Sequence, residues 1–149
     1  MKNGFVFCAV ICCLVSIAYA LTFEDCGSKI GKFTKIDVAG CNTDKKACVL
    51  KRGSNASIGI TFETTKPVNK VEALVWGKIA EIDVPFPLPN PNGCTSNVSC
   101  PVQPNTPQAY ETTLPVLKVY PKIPVLVKWE LVNEKKEVIV CVLIPAQIK

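Results

Sequence analysis

The chain predicts an all-β fold, an immunoglobulin-like β-sandwich of about seven to eight antiparallel strands in a single domain. Three observations carry that expectation. Apolar residues past position 20 recur at every second position and nowhere with a convincing helical period. The runs are rich in Val, Ile and Thr, whose branched side chains suit a pleated surface. Turn-forming residues separate them: Gly40, Lys51-Arg52-Gly53, Lys66-Pro67 and a proline-rich span from Pro85 to Pro107.

The first segment is read as no part of that fold. Met1-Lys2-Asn3 makes a short basic start, Phe5 to Ile17 is almost wholly apolar, and Ala18-Tyr19-Ala20 is a small-x-small cleavage signal. Residues 1–20 are therefore expected to be a signal peptide and residues 21–149 the folded domain. The apolar run is too short for a spanning anchor.

Of nine cysteines, Cys8, Cys12 and Cys13 would leave with the leader, and Lys2 would lower the net charge of +5 by one. Cys26, Cys41, Cys48, Cys94, Cys100 and Cys141 remain, an even count that implies three disulfides in an oxidising compartment. Six cysteines can pair in many ways, and spacing alone does not choose. Cys41 with Cys48 and Cys94 with Cys100 would close short loops cheaply, which would leave Cys26 for Cys141. No Cys-x-x-Cys occurs, so no metal is expected.

Short strands fit near Leu21–Phe23 and Phe33–Val38. Ile58, Ile60 and Phe62 alternate with Gly59, Thr61 and Glu63. Val71, Ala73 and Val75 share a face that Ile79 continues past Gly77. From Val84 to Cys94 the chain reads Val-Pro-Phe-Pro-Leu-Pro-Asn-Pro-Asn-Gly-Cys. Proline lacks an N–H and cannot sit inside a hydrogen-bonded sheet, so this stretch must run as an extended edge or rim. Val84, Phe86 and Leu88 make that rim apolar. Tyr110, Thr112, Leu114 and Val116 form the next series, then Ile123, Val125, Val127, Trp129 and Leu131, and after an Asn133–Lys136 turn, Val138, Val140 and Val142. The simplest account of these alternations is a filled core. Periodicity does not distinguish a core from a cavity.

Asn55-Ala56-Ser57 and Asn97-Val98-Ser99 are glycosylation sequons, which would place both segments on the surface of a secreted protein.

Several function classes lose their chemistry. The chain has no histidine, which removes the usual general base, triad partner and zinc ligand together. There is no phosphate-cradling glycine loop and no serine nucleophile elbow. Glu81 with Asp83, and Glu24 with Asp37, read as solvated carboxylates rather than as a catalytic pair. No enzyme activity and no cofactor are expected. Lys29, Lys32 and Lys35, and then Lys45, Lys46, Lys51 and Arg52, make either an ordinary solvated surface or a modest positive face for anionic lipid. Nucleic acid is not expected as a partner.

The run from Val84 to Cys94, followed by Cys100-Pro-Val-Gln, strongly resembles the Niemann-Pick type C2 family of small lysosomal and secreted sterol carriers. So do the blocks Phe23–Ser28, Leu114–Pro121, Val127–Leu131 and Cys141–Ile148, which stand in the family's order across nearly the whole of residues 21–149. The wider group is the myeloid-differentiation-related lipid-recognition (ML) domain. The resemblance implies a sandwich whose sheets splay around an apolar tunnel, and the pairing Cys26–Cys141, Cys41–Cys48 and Cys94–Cys100. It implies that a sterol enters tail first past gate residues Phe86, Val116 and Tyr120, with Val84, Leu114, Pro115 and Trp129 as wall. The expected function is a monomeric carrier, secreted or in the lysosome lumen, that binds cholesterol or a related sterol. It would deliver this cargo to membranes or to a lysosomal membrane sterol transporter. The alternative is the same fold binding microbial lipids or small hydrophobic signals. The chain departs from the family at Trp76, where a His is frequent, and at Glu81, where a Gly is. Asn92 and Thr95 stand where Asp and Lys are familiar.

Overall fold

The computed structural model describes residues 22–41 and 46–149. The expected signal peptide, Leu21 and Lys45 lie outside the described residues. Nine strands follow in order: β1 (Glu24–Asp25), β2 (Gly31–Val38), β3 (Cys48–Leu50), β4 (Ser54–Thr64), β5 (Glu72–Ile79), β6 (Ile82–Pro85), β7 (Gln108–Val116), β8 (Pro124–Val132) and β9 (Val138–Ile148). They build two facing sheets. The larger runs β1-β9-β8-β5-β6, with β3 on the same edge of β9 as β1, and the smaller runs β2-β4-β7. The expected all-β sandwich is therefore present, with two short strands, β3 and β6, added to those the alternation marks.

One pairing departs from the antiparallel expectation. β3 lies parallel to β9, with Cys48 beside Ala146 and Leu50 beside Ile148. Three residues are too few for alternation to reveal. The first strand also falls at Glu24–Asp25 rather than at Leu21–Phe23.

The disulfides join Cys26 to Cys141, Cys41 to Cys48, and Cys94 to Cys100. The second ties the end of β2 in the small sheet to β3 in the large one. The first holds β1 against β9 beside the backbone bond from Cys26 N–H to the Cys141 carbonyl.

Alternation places Phe62, Ile60, Tyr110, Trp129 and Leu131 wholly inside, where they form the shared core. Besides the Cys41–Cys48 disulfide, the sheets are pinned by a close backbone approach at the opposite end. Gly31 begins β2 against β9, and a Cβ there would lie 2.8 Å from Ile139 Cγ2 and 2.5 Å from the Glu63 carbonyl. Only glycine permits backbones that close. The amides of Lys29 and Ile30 both donate to the Val138 carbonyl at 3.0 Å. From this pin β2 and β9 run toward the opposite end of the sandwich.

The β8–β9 turn is organised by Asn133. Its side-chain carbonyl accepts from the amides of Lys135 and Glu137, and its Nδ2 donates to Glu137 Oε1. The β5–β6 hairpin is tighter. Ala80 and Glu81 both adopt positive φ, at 49° and 67°, the conformation of a two-residue turn that glycine and asparagine favour. Pro85 ends β6 at the sheet edge, as a proline lacking a donor must.

Candidate functional site

Away from the Gly31 pin, the two sheets enclose an apolar slot. The large sheet contributes Val127 and Trp129 from β8 and Ile144 and Ala146 from β9, with Cys48 and Leu50 from β3. Val38, Ala56, Ile58 and Leu114 face them from the small sheet. The slot is narrow: a water-sized sphere finds room for its centre over about 20 Å³. That is close to the minimum for a single water. The cavity between the sheets is real, but the open tunnel implied by the family resemblance is closed here by branched side chains from both layers.

At the open end stands an aromatic pair. The rings of Phe86 and Tyr120 meet edge to face at 5.3 Å between centroids. Phe86 is placed by its own backbone, whose amide donates to the Val75 carbonyl at 2.9 Å. Its ring lies over Gly77, where an added Cβ would overlap Phe86 Cε2 and approach Val125 Cγ2 to 3.0 Å. Gly77 sits in a row with the slot-lining Val127 and Ile144 across the large sheet, on the face that carries the ring. Tyr120 comes from the β7–β8 connection, where its amide donates to the Leu117 carbonyl. Val116, at the end of β7, is buried in the core.

Of the seven residues singled out in the sequence, Leu114 and Trp129 line the slot, Phe86 and Tyr120 meet each other and pack against the core, and Val116 is buried in that core. Val84 and Pro115 stand apart. Val84, on β6, pairs with Gly77 of β5, but every residue of that edge strand is exposed, Val84 by 41%. Pro115 alternates with the buried Leu114 and Val116 and so faces the other way. Val38, Ile58, Val127, Ile144 and Ala146 line the slot without having been singled out. Their parity with Trp129 and Leu114 was the available signal.

The slot's electrostatics are nearly blank. Tyr110, wholly buried, packs edge to face on Trp129 at 6.2 Å. Burial pushes its phenol up to about 12, the neighbouring Trp129 and Thr112 side chains pulling weakly the other way. Neither the Tyr110 hydroxyl nor Trp129 Nε1 makes a hydrogen bond of normal geometry. Among the described residues, no three His, Cys, Asp or Glu side chains gather as a metal site, and no helix is long and apolar enough to cross a membrane. Large apolar side chains are exposed on β6, at Ile82 (66%) and Val84, and on the connection that carries Tyr120, at Leu117 (46%) and Val119 (85%). Asn55 and Asn97 are both exposed, and Asn97 Nδ2 donates to the Ala109 carbonyl.

Comparison with known proteins decides the family. The ML domain family model matches residues 20–148. The chain belongs to the ML-domain family. Within it, the chain is 47% identical to NPC intracellular cholesterol transporter 2 homolog a of Drosophila melanogaster, over 95% of this chain and 97% of that protein. It is 41% identical to NPC intracellular cholesterol transporter 2 of Mus musculus, over 89% and 88%. Among solved structures, a Niemann-Pick type C2 protein from Japanese carpenter ant superposes with a TM-score of 0.82 at 37% identity, covering 87% of this chain and all of that one. These matches bear out the resemblance to the Niemann-Pick type C2 family read from the Pro-rich run and its companion blocks. The ML-domain sandwich extends to more distant proteins: chicken MD-1, solved with lipid IVa, shares the fold at a TM-score of 0.51 and 14% identity.

Proposed function

We propose that this ML-domain chain is a secreted or lysosomal carrier that encloses a sterol between its two sheets and releases it at a membrane or to a membrane transporter. The observation that carries this reading is a slot between the sheets lined by apolar side chains and one serine, Ser57, together with the Phe86–Tyr120 pair, the first seated over a glycine. The relatives named as cholesterol transporters support the cargo class.

Apolar burial is the drive. Covering about 400 Å² of ligand yields roughly 10 kcal/mol at about 25 cal/mol per Å². Association costs and the parting of the sheets take several kcal/mol of this, leaving an affinity near micromolar, about −8 kcal/mol. Specificity then rests on shape, because the slot presents almost no hydrogen-bonding surface. Leu114 and Trp129 form its wall, and Phe86, Val116 and Tyr120 its gate.

Opening is favoured on the side of Phe86 and Tyr120, because Gly31 and the Val138 carbonyl clamp the far end and the Cys41–Cys48 disulfide ties β2 to β3 at the other edge of the slot. Ile82 and Val84 on β6, with Leu117 and Val119 on the connection that carries Tyr120, offer apolar contact to a bilayer. Lys118 and Lys122 lie in the same connection as Tyr120 and suit an anionic lipid surface.

The test is equilibrium titration of the secreted protein with a fluorescent sterol, with lipid A and a fatty acid as competitors. Saturable one-to-one binding that Phe86→Ala weakens at least about tenfold, with the fold retained, supports the reading. No saturable uptake, or displacement of the sterol by either competitor at equal concentration, contradicts it.

A further inference from the structure

Arg52 lies in the β3–β4 turn, far in sequence from the aromatic gate, and reaches across to the segment that carries Tyr120. Its Nη1 donates to the Lys118 carbonyl at 3.1 Å and to the Tyr120 carbonyl at 3.4 Å. Its Nε is buried and has no hydrogen-bond partner of its own. A guanidinium takes such a position only when the fork's other donors are well engaged, since an unpaired buried donor is costly.

The turn around it is braced for that reach. Arg52 N–H donates to the Lys149 carbonyl and Gly53 N–H to the Val116 carbonyl. Ser54 Oγ donates to the Lys51 carbonyl at 2.6 Å. Gly53 has φ of +79°, and a Cβ there would stand 3.0 Å from Lys118 Cε, so the turn and the gate segment touch directly. The five residues from Val116 to Tyr120 are thus held by one neighbouring turn at both ends, by Gly53 at the start and Arg52 at the finish.

We propose that Arg52 is the latch of the doorway: by holding the Lys118 and Tyr120 carbonyls it fixes the Tyr120 ring against Phe86 and sets the rate at which the gate opens. The proposal rests on the carrier reading for its kinetic consequence, though not for its structural one. A closed gate guards both entry and exit, so a latch governs how fast ligand passes and not how tightly it is held.

The experiment compares wild type, Arg52→Ala and Arg52→Lys by stopped-flow exchange of a fluorescent sterol, alongside hydrogen exchange of residues 117–120. Losing hydrogen bonds from a charged donor shifts the closed gate toward open by about tenfold. Arg52→Ala is expected to raise association and dissociation rates together by about that factor, with the Kd changed less than about threefold. Arg52→Lys, which keeps a charged donor, is expected to fall between the two. Exchange at the Tyr120 amide should quicken in Arg52→Ala. Unchanged rates and unchanged exchange in a folded Arg52→Ala overturn the latch, as does a lowered affinity with association unaltered. Should Arg52→Ala not fold, Arg52→Gln takes its place under the same criteria. If wild type takes up no sterol at all, the carrier reading fails, and the exchange arm alone decides whether Arg52 holds the segment.

Discussion

The ring of Phe86 occupies the space that a side chain at residue 77 would fill: a Cβ on Gly77 would overlap Phe86 Cε2 and lie 3.0 Å from its Cζ. A rim that sequence alone marks as stiff and apolar is thereby seated on the large sheet through one missing methyl group. Gly77→Ala should therefore displace the ring while leaving the β5–β8 ladder in place. The expected result is sterol affinity reduced about tenfold, because the displaced ring no longer contacts the ligand, with melting lowered by only a few degrees. Titration and thermal melting together check it. A variant that binds as wild type does would show that Phe86 has no seat to lose.

The β5–β6 hairpin predicts a stabilised variant. Glu81 stands at φ of +67°, where its Cβ is strained and glycine is not. Glu81→Gly is expected to gain about 1 kcal/mol despite the looser unfolded chain, which partly offsets it. Denaturant unfolding checks this, and a loss of stability would mean that the turn's strain is relieved elsewhere.

Acid sensitivity has a definite sign at Glu137. The hydrogen bond from Lys66 Nζ at 2.6 Å, then that from Asn133, hold its carboxyl below the ordinary carboxylate value of 4.5. A group whose folded pKa is depressed contributes stability that is present above its unfolded pKa and is lost as pH falls through the folded one. Wild type should thus melt above Glu137→Gln at pH 7, and the gap should close below about pH 4. The pair is partly exposed, so the gap is expected to be small. A gap that widens in acid would contradict the assignment.

Ligand affinity, by contrast, should be nearly flat from pH 5 to 7.5. The chain has no histidine. Asp25, Glu134 and Glu137 are all held below their ordinary values, and Tyr110, the phenol packed against slot-lining Trp129, is pushed up to about 12. Sterol titrations at the two ends of that range should agree within about threefold. A tenfold loss at neutral pH would reveal a carboxylate titrating beside the ligand.

What could be read from the chain follows its periods. β4, β7, β8 and β9 are long enough, at up to 11 residues, for two-residue alternation to mark their inward faces, and Leu114 and Trp129 emerge from it directly. β3, at three residues, carries no such signal, and nothing local to it encodes a parallel partner 98 residues away, as Cys48 beside Ala146 requires. Val84 pairs with inward-facing Gly77, yet β6 is a sheet-edge strand exposed along its whole length, which alternation does not reveal. Pro115 sits out of phase with Leu114 and Val116, a fact already visible in the alternation. Arg52 was legible only as one charge among several, because its partners are backbone carbonyls that no side-chain pattern announces.

The most direct test is a crystal structure of the protein saturated with cholesterol. The account predicts a sterol lodged between the sheets against Leu114 and Trp129, in a slot widened from about 20 Å³ to at least about 300 Å³, with the Gly31 end unmoved. A sterol bound on the outer surface, or facing layers still interlocked at saturation, would contradict it.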